Sequence, residues 1–274
     1  MSPLLVEKLT QYAEILDTMD SSNGRYPFPD HVIEYFEKLG VVHWAELYTF
    51  SGKAKFVSDK KNEIAEGFKL FSDAIGDNPT LENIEKFLNN FMKEVATSKD
   101  TFPGLEFLEL APNPDFLTNY PDEELTRQKD VLIGFLVNFY NDLAVAAHKE
   151  TIFSLIFKAE NNDHESLNKA IQIDPTIVHY FNKVLTKTSL KGNANYFDNL
   201  AYRIKNSPRK GANKHPLLWI LLKDLHTFKC LHKGIKSHQI LTLYQQAVGD
   251  YPKFYIDDEQ IVQRQRRQFN PMYR

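Results

Sequence analysis

The chain has 274 residues, 42% of them hydrophobic and 25% charged, with 20 Phe and 13 Tyr. Such a composition excludes a wholly disordered chain, and the length supplies one large aromatic-rich core or two modest ones. The formal charge of −3 decides little by itself, but residues 187–274 alone carry +10 against −13 for residues 1–186, a split that either marks a surface for a polyanion or is neutralised within one fold.

Helical periodicity dominates from the first residues. Leu5, Leu9, Tyr12, Leu16 and Met19 predict a helix over 3–19, closed by Gly24 and Pro27. Leu4 to Val6 run straight into Glu7 and Lys8, a pattern that does not fit a signal peptide. Pro29 and Asp30 start a second helix with Val32, Ile33, Phe36 and Leu39 on one face, stopped at Gly40. Residues 41–57 read as a strand pair around Ser51-Gly52, although a short helix and a loop account for the same letters. Ser58 is read as the N-cap of a helix over 59–75, and Thr80 as the cap of one over 81–96. Pro103, Gly104, Pro112, Pro114 and Pro121 then break the pattern, making 101–121 a connecting loop.

Asp122, Glu123 and Glu124 suit the positive end of a helix and open a long helical region to about Glu160, with a break near His148. Asp163 starts a helix over 164–173 and Pro175 the next over 176–187. Phe197, Leu200, Ala201 and Ile204 define a helix over 194–206, and Pro216 opens a strongly apolar one to about Leu231. Two more follow near 237–248 and 257–268. The chain therefore reads as an all-α assembly of roughly ten to twelve helices, with a short β-hairpin near 41–57 as its one non-helical candidate. In domain terms this is an acidic N-terminal region (1–100), the proline-rich loop (101–121) and a larger helical region (122–274) that is basic at its end.

The apolar stretch Val131 to Ala147 contains Asn138, Asn141 and Asp142 and falls short of the ~20 apolar residues a spanning helix needs. Cys230, the single cysteine, has no internal disulfide partner, which favours a reducing compartment such as the cytoplasm.

Four groups of residues bear on chemistry. The loop Ser207 to His215 places Arg209, Lys210 and Lys214 near Gly and Pro, where cations meet phosphates or simply keep a surface loop solvated. The last helix begins with Asp257, Asp258 and Glu259 and carries Arg264, Arg266 and Arg267 toward its end. Dipole compensation predicts that order by itself. A phosphate-binding face uses the same arginines, but the acidic first turn argues against base readout, and the long connection from 248 to 257 argues against a helix-turn-helix.

His226 and Cys230 are four residues apart, with His232 and His238 beyond, yet the usual paired zinc spacing is lacking and Lys229 and Lys233 would repel a dication. No metal or cofactor is expected. Asn138, Asn141 and Asp142 share one helix face, flanked by Asp130 and Lys149, and read as an exposed polar stripe. No glycine-rich phosphate loop, nucleophile elbow or His-Glu-x-x-His pair is present.

The expectation is a non-catalytic, soluble helical interaction protein that holds nucleic-acid phosphates through Arg209, Lys210, Lys214, Arg264, Arg266 and Arg267. Its alternatives are a protein–protein adaptor without nucleic acid, and an enzyme with an all-α pocket. No membrane partner is expected.

Overall fold

A computed structural model of the chain describes residues 3–21, 44–49, 122–181, 194–205, 213–227, 231 and 235–272, with isolated helical positions, single or in adjacent pairs, between 54 and 86. The described residues contain eight α-helices, three short 3-10 turns and no strand. The expected helix over 30–39, the loop at 101–121 and most of the helix over 81–96 lie outside them. The chain divides into two compact units that do not follow chain order: unit 1 gathers Met1–Asp17, Asp59–Pro103 and Asn213–Arg274, and unit 2 gathers Thr18–Ser58 and Gly104–Ala212.

Unit 1 holds most of α1 (Pro3–Ser21), α6 (Pro216–Thr227), α7 (Ser237–Val248) and α8 (Glu259–Met272). Proline at the start of α6 costs no helix hydrogen bond, because the first-turn N–H groups lack internal partners. Every residue of α6 from Leu217 to Leu225 is buried, so this helix is central to its unit. Burial forces its two charged residues to find partners. Asp224 accepts from Lys8 of α1 at 2.8 and 3.0 Å, and Lys223 lies 3.4 Å from the same carboxylate. The ion pair fixes the height of α1, whose Leu5, Leu9, Tyr12 and Ala13 are buried on one stripe. Thr10 adds a hydrogen bond to the Ala247 carbonyl at the end of α7. The segment between α7 and α8 is held by Tyr244, which donates to the Phe254 carbonyl at 2.7 Å, and by Gln245, which donates to that of Ile256 at 3.0 Å.

Unit 2 holds α2 (Asp122–His148), α3 (Ile152–Glu160), α4 (His164–Ile173), α5 (Ala194–Lys205) and 3-10 turns at Trp44–Tyr48 and Pro175–His179. The break expected near His148 falls there: Lys149 adopts φ 61°, a left-handed conformation that stops α2. Thr151 then caps α3 by accepting from the Ser154 N–H. Asp163 caps α4 by accepting from the Glu165 and Ser166 N–H groups, and the Ser166 hydroxyl donates to its second oxygen at 2.7 Å. These bonds to the ionised form hold the Asp163 carboxyl below its usual range.

Three expectations need correction. The described part of the anticipated hairpin is helical: Trp44–Tyr48 form a 3-10 turn, and Ala54 and Lys55 are helical. Trp44 and Tyr48 are both buried, and the turn advances only roughly 8 Å between them where a strand would advance roughly 13 Å. Ser58 is itself helical and so does not serve as an N-cap. Of the three central residues of the stripe on α2 only Asn138 is exposed, because Asn141 and Asp142 are buried. Asn141 is recruited by the next helix, its Oδ1 accepting from the Ile152 N–H at 3.1 Å in the first turn of α3.

Candidate functional site

Two groupings stand out, one in each unit. In unit 2 the buried Asp174 joins three pieces of backbone. Its Oδ1 accepts from the Thr176 N–H at 3.0 Å and from the Thr176 hydroxyl at 2.6 Å, and its Oδ2 accepts from the Trp44 indole at 2.8 Å. Trp44 in turn stacks on Tyr140 at 6.3 Å between centroids. Burial pushes the Asp174 carboxyl up despite these hydrogen bonds, and burial followed by the Asp174 charge pushes the Tyr48 phenol well above its usual range. The Tyr48 hydroxyl lies close enough to feel that charge but makes no hydrogen bond of ordinary geometry. Every oxygen of Asp174 is engaged in capping or tethering, so the group ties the Trp44–Tyr48 turn to the end of α4.

The second grouping is the exposed face of α8. Its inner stripe is Val262, Gln265 and Phe269, all buried. Gln265 accepts from the Trp219 indole at 2.8 Å, and Phe269 packs against Trp219 and His226 with centroids 5.4 and 5.8 Å apart. That anchoring turns the opposite face outward, where Gln260, Gln263, Arg264, Arg267 and Gln268 are exposed. A surface depression of about 780 Å³ runs along this face, lined among the described residues by these five side chains, Asp258 and Ile261.

The predicted cations fare differently. Arg264 and Arg267 sit one turn apart on the outer face and make no ion pair or hydrogen bond among the described residues. Arg266 is half-buried and donates through Nη1 to the Ile235 carbonyl and through Nη2 to the Leu231 carbonyl, which fastens α8 to the segment following α6. Lys214 is exposed just before α6. Arg209 and Lys210 lie outside the described residues, as do Cys230 and His232 of the histidine-cysteine group. Among the described residues no three His, Cys, Asp or Glu side chains gather closely enough to hold a metal ion.

Sequence reasoning missed the glutamines and Asp258. Their signal was available: Gln260, Gln263 and Gln268 stand three or four residues from Arg264 or Arg267, which puts them on the same helical face.

No protein-family model matches this chain, and no curated protein or solved structure matches it either. No described helix is long and apolar enough to cross a membrane.

Proposed function

We propose that this chain is a non-catalytic helical interaction protein whose docking surface is the outer face of α8. The observation that supports the reading is the pair Arg264 and Arg267, exposed and unengaged among the described residues, beside a polar depression. Exposed cations held on a rigid helix and left out of internal ion pairs are suited to meeting an anion on another molecule. In the nucleic-acid form of the reading, Arg264, Arg267 and Lys214 hold phosphates, joined by Arg209 and Lys210, while Arg266 braces the helix. Residence in the cytoplasm goes with this reading and is argued from the lone Cys230.

The adaptor form is favoured by a separate observation. The +10 excess of residues 187–274 disappears when charge is counted by compact unit: unit 1 carries 17 Lys and Arg against 17 Asp and Glu, and unit 2 carries 16 against 19. A neutral unit lacks the broad positive field that draws proteins to nucleic acid, so recognition falls to the local pair of arginines.

The deciding experiment titrates the protein into labelled random-sequence RNA and duplex DNA at about 50 and about 200 mM salt. If phosphates are the ligand, affinity falls steeply between those conditions, and Arg264→Ala with Arg267→Ala reduces the salt slope by about 2. Absence of binding at the lower salt eliminates the nucleic-acid form.

A further inference from the structure

The depression along α8 carries recognition groups of both signs, which narrows what can fill it. Guanidinium forks match phosphates and carboxylates alike, so Arg264 and Arg267 alone do not choose between them. Asp258 does. It lines the same depression, exposed at the start of α8, with Oδ1 accepting from the Gln260 N–H at 2.7 Å. Its Oδ2 makes no hydrogen bond among the described residues. A carboxylate at that point repels a phosphodiester backbone, which is charged at every nucleotide and offers phosphates that only accept hydrogen bonds. It welcomes a peptide, which presents a backbone N–H at nearly every residue.

The amides point the same way. Gln260 and Gln268 each offer a donor and an acceptor, the set that pairs with the N–H and C=O of an extended chain. From Asp258 to Gln268 the helix axis advances about 15 Å, and an extended peptide covers that span in roughly four or five residues. Ile261 supplies one apolar contact within it.

We infer that the depression along α8 docks an extended acidic peptide segment of a protein partner, with two of its carboxylates on Arg264 and Arg267 and a backbone N–H on Asp258. This rests on the docking role of α8 proposed above.

The test uses the full chain and fluorescence anisotropy with three probes: a short oligoglutamate peptide, a serine-alanine peptide of equal length, and a random single-stranded RNA. Oligoglutamate is expected to bind and the neutral peptide to bind far more weakly. Arg264→Glu with Arg267→Glu weakens the oligoglutamate complex by at least about tenfold, since like charges then face each other. Asp258→Asn keeps an oxygen for the Gln260 N–H but removes the charge, so it strengthens any RNA complex more than the oligoglutamate complex, whose backbone N–H bond to the carboxylate offsets its own repulsion. All three residues are exposed, so the variants should retain the parent's far-ultraviolet dichroism and urea midpoint; Arg264→Ala with Arg267→Ala serves if the charge-reversed protein does not fold. If RNA binds more tightly than oligoglutamate and depends on the same arginines, the partner class is wrong and the docking role of α8 stands. Oligoglutamate binding that is indifferent to the arginine variants overturns the site. If neither probe binds, both the inference and the docking role fail.

Discussion

Asp174 concentrates the strongest polar constraint in unit 2 onto one side chain. A buried carboxylate is tolerated when its oxygens are satisfied, and here the indole N–H of Trp44 and two groups of Thr176 do that. Trp44→Phe keeps the aromatic packing on Tyr140 but withdraws the donor to Oδ2. Leaving a buried acceptor unpaired costs about 1–3 kcal/mol, a loss that urea unfolding would read. The pH dependence follows from the direction of the shift. Burial raises the folded-state pKa of Asp174, with Tyr48 facing it and the neighbouring Tyr180 pushed up by burial, Glu46 and Asp174. The folded state therefore holds the proton more tightly than the unfolded chain, so this group favours folding below the ordinary carboxylate range and loses that contribution as pH rises through its folded value. The stability advantage of the parent over Asp174→Asn should accordingly shrink with rising pH. A gap that stays constant across the acid range would show that Asp174 does not titrate with folding.

At the scale of elements, the three arginines of α8 separate by role. Arg266 satisfies the carbonyls of Leu231 and Ile235, both in buried residues. Arg266→Ala should cost roughly 1–2 kcal/mol, toward the low side of charged hydrogen bonds because the side chain is half-exposed. Lysine restores less than the full loss, since one ammonium cannot fork to two carbonyls as a guanidinium does. Arg264→Ala should leave the unfolding midpoint unchanged, and a drop equal to that of Arg266→Ala would remove the distinction. The sequence could not rank these residues, because the carbonyls that claim Arg266 lie 31 and 35 positions away. Local signals fared better. Asp163 and Pro216 mark helix starts through bonds or missing N–H groups within their own turn, and the structure begins helices beside both, whereas Pro175 opens a 3-10 turn that ends at His179 in place of the helix expected over 176–187. Reading failed where a distant partner decided: Asn141 belongs to the start of α3, eleven residues on. Trp44 and Tyr48 likewise follow Asp174, 130 residues beyond Trp44, and not the Ser51-Gly52 turn that suggested a strand pair.

At the scale of the molecule, charge and core both depend on how distant segments are gathered. The acidic and basic halves of the sequence suggested a polyanion surface, yet unit 1 draws on both halves and is neutral. Its core draws on both as well, since Lys8 and Thr10 of α1 bind Asp224 and Ala247 across more than 200 positions. Removing Met1–Asp17 should therefore damage the far end of the chain. The deletion takes away the buried Leu5, Leu9 and Tyr12 and leaves Asp224, 5% exposed, without Lys8. Three large side chains at roughly 1.5–3 kcal/mol each make up much of the stability of an ordinary domain, which is of the order of 5–15 kcal/mol. The chain has two tryptophans, Trp219 in unit 1 and Trp44 in unit 2, so each unit carries its own reporter. In a Trp44→Phe background, fluorescence follows Trp219 alone. Deleting Met1–Asp17 should shift its urea transition to lower concentration and increase binding of an apolar dye. An unchanged Trp219 midpoint would mean that α1 contributes little to unit 1 and that its buried stripe and ion pair do not hold α6 in place.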